Sequence, residues 1–187
     1  GGAAINVLAR QAGASVVVVD VGVASELAEA PALLQRNVRR GTANLASGPA
    51  MTAGEARLAI AVGIGVARDA IAQGARCLVS GDMGIGNTTP SAAVIAALTG
   101  APADRVTGRG TGIDDETLER KTRVVATAVE RLRSSDAVDV LGEVGGFEIA
   151  AIAGFVLAAA AARVPVVIDG VTSLAGALVA EAVAPGV

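Results

Sequence analysis

Residues 80–94 read SGDMGIGNTTPSAAV, a stretch in which three glycines stand between an apolar run and a proline. The preceding run, residues 76–80 (RCLVS), predicts a short buried strand. Thr89 and Pro90 then supply an N-cap and a proline at the first helical position, so we expect a helix that runs to about Leu98. A strand, a glycine-rich loop and a helix in this order are typical of the anion-binding loops of α/β proteins.

Two further apolar runs rich in β-branched residues predict strands at residues 15–20 (SVVVVD) and 164–169 (VPVVID). Such continuous runs are typical of parallel strands that are buried on both faces. Helical patterns of roughly 10 to 20 residues separate the strands. We therefore expect an α/β fold with a Rossmann-like doubly wound, mainly parallel sheet and helices on both faces, whose ligand lies at the carboxyl ends of the strands.

The helices are predicted from their caps and their apolar periodicity. Thr52 and Glu55 have the spacing of a capping box, and the apolar pattern that follows ends before Gly74, which predicts a helix at about residues 54–73. Asp114 and Asp115 are predicted to begin an amphipathic surface helix. The remaining predicted helices are a buried apolar one at residues 149–162 and a final one that begins near Thr172.

The composition excludes several classes of site. The chain has 187 residues, no histidine and one cysteine, Cys77, which excludes the usual zinc clusters, a Ser-His-Asp triad, a Cys-His pair and an intrachain disulfide. Cys77 lies in an apolar run, so we expect a buried strand thiol. The net charge is −3 and the arginines are scattered without aromatic residues, so no nucleic-acid-binding face is expected.

No membrane segment or secretion signal is expected. Residues 149–162 are fewer than the roughly 20 that a helix needs to span a bilayer. The opening sequence GGAAINVLARQAG lacks the charged region and the long apolar region of a signal peptide. We therefore expect a cytoplasmic protein consisting of a single α/β domain over residues 1–187.

The glycine loop has the spacing G-x-x-x-x-G-N-T, in which Asn87 stands where a P-loop has its phosphate-binding lysine. Its glycines, Gly84 and Gly86 among them, allow backbone N–H groups to converge on an anion, and Thr88 adds a hydroxyl. Because Asp82 adds negative charge, a nucleotide monophosphate fits better than a triphosphate, with Asp82 accepting hydrogen bonds from ribose. A glycine-rich turn that binds no ligand remains the alternative.

A second glycine-rich loop, residues 107–115 (TGRGTGIDD), also precedes a helix start and contains Gly108 and Gly110. Lys121 lies two turns into that helix and is the only lysine in the chain. A lysine among so many arginines indicates that a compact, flexible ammonium group matters at this position. Its long side chain would reach back toward a phosphate, although a solvated lysine on a helix face is the alternative.

Two carboxylates and one loop are further candidates. Asp169 ends the third predicted strand, where α/β enzymes place ligand-facing side chains, but an ordinary Asp-Gly turn explains it equally well. Glu148 is in the first turn of an apolar helix, where the helix dipole favours a carboxylate, and a ligand role is the alternative. Residues 41–51 (GTANLASGPAM) form a loop that is long and polar enough to suggest a function.

Seven segments together resemble the nicotinate-nucleotide:dimethylbenzimidazole phosphoribosyltransferase family. They run in order from Gly1 to about Ala180: GGAAINVLARQAGA, VVDVGV, GTANLASGPAMT, GDMGIGNTT, GRGTGIDD with the Lys121 that follows it, VGGFEIAA and PVVIDG. The pair GxMGIGNTT and GRGTGxDD is specific to this family. The resemblance implies transfer of phosphoribose from nicotinate mononucleotide to 5,6-dimethylbenzimidazole, giving α-ribazole 5′-phosphate and nicotinate in cobalamin nucleotide-loop assembly.

The resemblance also implies that the enzyme uses no metal or organic cofactor and forms a homodimer. It assigns the donor's phosphate and ribose to the two glycine loops and the lysine. Asp82 stands where the family most often has glutamate, so the carboxylate is retained with a shorter reach. The predicted substrate-binding residues are Asp82, Met83, Gly84, Gly86, Asn87, Thr88, Gly108, Gly110, Lys121 and Asp169.

The resemblance places the general base outside this sequence. In the family, the glutamate that deprotonates the benzimidazole follows the equivalent of Val187, and part of the base pocket precedes the equivalent of Gly1. We therefore expect the core of a longer protein, with little turnover from residues 1–187 alone. A non-catalytic module that binds a nucleotide monophosphate and a transferase for another aromatic base are the alternative functions.

Overall fold

The computed structural model describes residues 3–187. Gly1 and Gly2, the first residues of the opening segment GGAAINVLARQAGA, lie outside the described residues. Eight helices and four short strands follow one another in this order: α1 Ala4–Ala12, β1 Val18–Asp20, β2 Leu33–Gln35, α2 Ala53–Ala72, β3 Leu78–Val79, α3 Thr88–Thr99, α4 Ala103–Val106, α5 Asp115–Glu130, α6 Ala137–Val144, α7 Phe147–Ala161, β4 Val166–Val167 and α8 Val171–Val183.

Helix α7 is the centre of the fold and packs on both α2 and α8. Small residues let the helices approach closely, because a side chain at Gly63 of α2 would collide with the backbone of Ala151. In the same way, a side chain at Gly154 of α7 would collide with the backbone of Ile60. The expected buried apolar helix is thus confirmed, and no helix in residues 3–187 is both long and apolar enough to cross a membrane.

The α/β class and the parallel pairing of the strands are confirmed. Strand β1 pairs with β2, and β3 pairs with β4 in the register Leu78↔Val166 and Val79↔Val167, both in parallel. Within the described residues, however, these strands form two separate two-stranded sheets rather than one continuous doubly wound sheet. Each strand has only two or three residues, and most of the packing is between helices, above all α7 with α2 and α8.

The predicted helix caps are largely confirmed. Helix α2 has the complete capping box, with the Glu55 backbone N–H donating to the Thr52 hydroxyl over 3.1 Å and the Thr52 N–H donating to the Glu55 carboxylate over 2.8 Å. Helix α3 begins two residues earlier than predicted, with Asn87 instead of Thr89 as the N-cap and Thr88 as the first helical residue. Pro90 is then the third helical residue, which is still within the first turn, where the backbone needs no N–H donor.

The expectation of a buried thiol at Cys77 is wrong, because the side chain is exposed. Leu78, the first residue of β3, is buried, and successive side chains of an extended chain point to opposite sides. Cys77 therefore faces away from the core, as does Val79. Strand β2 and helices α4 and α6 were not predicted, although α6 has a capping signal in Asp136, whose side chain accepts hydrogen bonds from the Val138 and Asp139 N–H groups.

Candidate functional site

The parallel pairing of β3 and β4 places two connecting segments at the same edge of the fold. The Ser80 backbone N–H donates to the Val167 carbonyl over 3.3 Å, so the chain leaves both strands side by side. One strand leads into the first glycine loop, which we define as residues 81–88, so that it includes Thr88, the first residue of α3. The other leads to Asp169, whose side chain is exposed, and to Gly170 at the N-terminus of α8.

The first glycine loop is closed by a hydrogen bond between its two ends. The amide Nδ2 of Asn87 donates to the carboxylate of Asp82, and the Asn87 carbonyl accepts a hydrogen bond from the Ser91 hydroxyl over 2.7 Å. Gly86 has a φ of 89°, a backbone conformation that favours glycine. Asn87, which replaces the lysine of a P-loop, therefore connects the loop's own carboxylate to the start of α3.

Lys121 connects the first glycine loop to the second, which comprises residues 107–115. Its Nζ donates to the Thr88 hydroxyl over 2.8 Å and to the Gly108 carbonyl over 2.9 Å. A Cβ at Gly110 would lie 3.4 Å from the Thr88 hydroxyl oxygen, so the two loops are in close approach. The side chain is half-buried, and desolvation lowers the pKa of Lys121. The only lysine of the chain thus reaches both candidate loops.

The second glycine loop is held in shape by its own charged residues. Arg109 donates to the Asp115 carboxylate over 2.5 Å and to the Ile113 carbonyl over 3.0 Å. Asp114 caps α5 by accepting from the Thr117 N–H over 2.8 Å, and hydrogen bonding by the Thr117 side chain and then by its backbone lowers the pKa of Asp114. The loop is therefore already folded around the position of Lys121.

The first glycine loop presents apolar side chains as well as backbone to solvent. Met83 is 93% exposed and Ile85 is fully exposed, whereas the adjoining Ser80 is buried. Two side chains of this size, flanking Gly84, provide apolar surface beside a polar backbone. An aromatic ring attached to a phosphorylated sugar offers the matching combination of surfaces.

Glu148 is a site residue whose importance the sequence left open. It follows Gly145 and Gly146 at the start of α7, and burial raises the pKa of Glu148 to about 7, with a further contribution from the negative charge of Asp82. Asp82 is exposed as a whole residue, yet desolvation of its carboxylate outweighs the Asn87 hydrogen bond and raises the pKa of Asp82. The carboxyl groups of Asp82 and Glu148 therefore both have raised pKa values, with burial as the main cause.

The long loop of residues 41–51 is held by hydrogen bonds from two arginines outside it. Arg131 donates to the carbonyls of Leu45 and Gly48 over 2.9 and 3.1 Å. Arg39 donates to the Ala50 carbonyl over 3.1 Å. These bonds give the loop a structural role, and its suggested ligand role stays a prediction.

The structure therefore brings most of the predicted site residues to one region. Asp82, Asn87, Thr88, Gly108, Gly110 and Lys121 are connected by the contacts described above, with Met83, Gly84 and Gly86 in the same loop. Asp169 lies at the same edge of the β3–β4 pair, but its side chain belongs to none of these hydrogen bonds within residues 3–187. A role of these residues in binding substrate stays a prediction.

Comparisons with known proteins match the chain to phosphoribosyltransferases. The family model DBI_PRT, described as phosphoribosyltransferase, matches residues 1–187. A nicotinate-nucleotide--dimethylbenzimidazole phosphoribosyltransferase of Roseiflexus sp. is 54% identical over 189 residues, which cover 100% of this chain and 54% of the relative. The protein of the same name from Geobacter sulfurreducens is 55% identical over 182 residues, covering 96% and 52% of the two chains.

A solved structure supports the same assignment. The crystal structure of CobT from Thermus thermophilus superposes with a TM-score of 0.96 at 53% identity, covering 100% of this chain and 56% of that one. The chain therefore spans about half the length of the curated relatives it matches.

Proposed function

The chain belongs to the DBI_PRT family of phosphoribosyltransferases, and on that basis we propose that it forms the donor-binding part of an enzyme acting on nicotinate mononucleotide. The enzyme transfers the phosphoribosyl group to 5,6-dimethylbenzimidazole, with α-ribazole 5′-phosphate and nicotinate as products. The relatives that carry this name are more than half identical to the chain along its length.

The observation that carries the proposal is the contact of Lys121 with both glycine loops. One ammonium group, the Thr88 hydroxyl and the free N–H groups at the start of α3 lie together. This set combines one positive charge with several hydrogen-bond donors, which suits the phosphate of a mononucleotide. A triphosphate with its magnesium ion would bring more negative charge, and Asp82 adds another negative charge to the same loop.

In the proposed reaction the residues of this site position the donor. The pyridinium ring of nicotinate mononucleotide leaves as neutral pyridine nitrogen when the bond to the anomeric carbon breaks, so the leaving group needs no proton. Binding of the phosphate by Lys121 and of the ribose by Asp82 would hold that carbon in line with the attacking nitrogen of the benzimidazole. We assign removal of the benzimidazole proton to the glutamate that the family resemblance places after the equivalent of Val187.

We also propose that the complete protein works as a homodimer. Ile5 and Leu8 on α1 are 56% and 60% exposed, which leaves apolar surface for a second copy. Light scattering on the complete protein would give twice the mass of one chain, and the mass of a single chain would contradict this part of the proposal. The cytoplasmic location expected from the sequence stays a prediction.

The transferase function is tested by incubating the complete protein with nicotinate mononucleotide and a series of benzimidazoles. We expect release of nicotinate that depends on the acceptor, together with the matching ribazole phosphate. If nicotinate is released only with another aromatic base, the reaction class stands and the acceptor is wrong. If nicotinate mononucleotide binds but no acceptor leads to release, the chain is a binding module and the transferase function is wrong.

A further inference from the structure

A chain of buried hydroxyl groups connects α8 to the start of α3. The Ser91 hydroxyl donates to the Asn87 carbonyl over 2.7 Å and lies 3.2 Å from the hydroxyl oxygen of Thr172, the second residue of α8. Ser91 is fully buried and Thr172 is 7% exposed. Because a hydroxyl carries one hydrogen and a carbonyl oxygen only accepts, both contacts are satisfied together when Thr172 donates to Ser91 and Ser91 donates to Asn87.

The contact with Thr172 distinguishes Ser91 from an ordinary serine in a helix. A serine or threonine hydroxyl in a helix often bonds to the carbonyl four residues earlier. Thr99, the exposed last residue of α3, makes such a bond to Ile95 over 2.6 Å, and that bond stays within one helix. The Ser91 bond is buried and is extended to a residue 81 positions away. Hydrogen bonds joined in a row strengthen one another where water is excluded.

The acceptor at the end of this chain is the peptide that begins α3. Asn87 has helical backbone angles, and its carbonyl accepts from the Ser91 N–H over 3.1 Å as well as from the hydroxyl. A peptide bond is planar and trans, so its N–H points opposite to its C=O. The Thr88 N–H belongs to the same peptide and is therefore directed out of the helix N-terminus. The two donors of Ser91 fix this direction.

Both residues of this peptide also contact the candidate site. The Asn87 Nδ2 donates to the Asp82 carboxylate, and the Thr88 hydroxyl accepts from Lys121 over 2.8 Å. A rotation of the peptide would therefore displace a carboxylate and an ammonium group as well as the N–H. Because Ser91 is fully buried, it acts on all three groups without touching a ligand itself.

We propose that Ser91 and Thr172 are positioning residues for the donor: their buried hydroxyls fix the Asn87–Thr88 peptide so that the Thr88 N–H faces the donor's phosphate. This inference rests on the proposed function, because it assumes a phosphorylated donor at the glycine loops. An anion at a helix N-terminus is bound by the backbone N–H groups there. Groups that are already oriented bind more tightly, because ordering them at the moment of binding costs affinity.

The test measures the dissociation constant of nicotinate mononucleotide and the KM of both substrates in the complete protein. Thr172→Val keeps the shape of the side chain and removes the hydroxyl, whereas Thr172→Ser keeps the hydroxyl. We expect Thr172→Val and Ser91→Ala each to weaken donor binding on the order of fivefold, as for one lost hydrogen bond, and to raise the KM of the donor. Thr172→Ser should bind the donor as the wild type does, and the KM of the acceptor should stay unchanged throughout.

A double variant and a matched control separate this role from a purely structural one. Because the two hydroxyls act through one chain, Ser91→Ala combined with Thr172→Val should bind the donor no more weakly than Ser91→Ala alone. Ser173→Ala removes the next hydroxyl of α8, which is equally buried and has no hydrogen-bond partner within residues 3–187, and should leave donor binding unchanged. General destabilisation would instead lower the apparent kcat through loss of folded protein and leave the KM of the donor as it is.

The outcomes distinguish this inference from the proposed function. If the wild type binds nicotinate mononucleotide and either Ser91→Ala or Thr172→Val binds it equally well, the inference is wrong and the proposed function stands. Weakened binding in Thr172→Ser, or additive effects in the double variant, would also overturn it. If the wild type does not bind the mononucleotide, both are wrong. If Thr172→Val does not fold, Ser91→Ala compared with Ser173→Ala decides, because alanine favours a helix more than serine does.

Discussion

The ammonium group of Lys121 lies 2.8 Å from the hydroxyl oxygen of Thr88, the first residue of α3, although the two residues are 33 positions apart in the chain. This contact joins the two glycine-rich loops and places a positive charge at a helix N-terminus, where the helix dipole already favours an anion. Both loops therefore share one cation, and its loss should affect them together.

Replacing Lys121 with alanine should weaken the binding of nicotinate mononucleotide by roughly 1.5 to 3 kcal/mol, because a charge-assisted hydrogen bond to phosphate is lost. Binding of the benzimidazole should change much less. Calorimetry with each substrate measures both effects. Arg123→Ala, which removes an exposed cation from the same helix, is the control and should leave both affinities unchanged. Unchanged donor affinity in Lys121→Ala would mean that the lysine only holds Thr88 and Gly108 together and does not bind the donor.

Replacing Asn87 with alanine should weaken donor binding by about 1 kcal/mol, because the hydrogen bond that holds Asp82 at the far end of the loop is lost. The free energy of unfolding should change little, since the loop is exposed. Titration of the mononucleotide and chemical denaturation measure the two quantities. Asn44→Ala, in the separate loop of residues 41–51, is the control. A large loss of stability would mean that Asn87 acts on the fold instead.

The stability of the protein should fall as the pH rises from about 4.5 to 7, through the contribution of Glu148. Its pKa is raised from 4.5 to about 7 in the folded state, so the folded state binds the proton more tightly than the unfolded state does. The favourable contribution is complete below pH 4.5 and is lost as the pH passes 7, at a cost of up to about 3 kcal/mol. Glu148→Gln should remove this fall, which denaturation at several pH values measures. An unchanged pH profile would mean that the Glu148 carboxyl is solvated.

Two glycines of α2 should respond to the same substitution in opposite ways. Gly63→Ala should destabilise the protein by about 2 kcal/mol or more, because the added methyl group meets the backbone of Ala151. Gly65→Ala faces open space and should stabilise the protein by about 0.5 to 1 kcal/mol, since alanine favours a helix. Urea denaturation of both variants measures the difference. Equal effects would show that α2 and α7 separate more easily than their packing indicates.

Local sequence signals predicted the parts of the site that local chemistry controls. The strand, glycine loop and helix around residues 80–94 were predicted because glycine, asparagine and proline have strong backbone preferences. The capping of α2 by Thr52 and of α5 by Asp114 follows from hydrogen bonds within one turn. The long reach of Lys121 was anticipated from its position, two turns beyond the second loop.

Properties that depend on distant packing were not predicted. The sequence does not reveal that burial raises the pKa of Glu148, because the residues that bury it are brought together only by the fold. Cys77 directly precedes the two-residue strand β3, and its exposure depends on which side of that strand packs against the core. The strands are also shorter than the apolar runs indicated, and most of the packing within the described residues is between helices.

The close crossing of α2 and α7 has a mechanical consequence. Where Gly63 and Gly154 each meet the backbone of the facing helix, no side chain remains that could change its rotamer to let the helices slide. The two helices therefore form one rigid unit, and Glu148 is in the first turn of α7. We therefore expect that ligand binding leaves the distance between Gly63 and Ala151 unchanged and that any movement is in the two glycine loops.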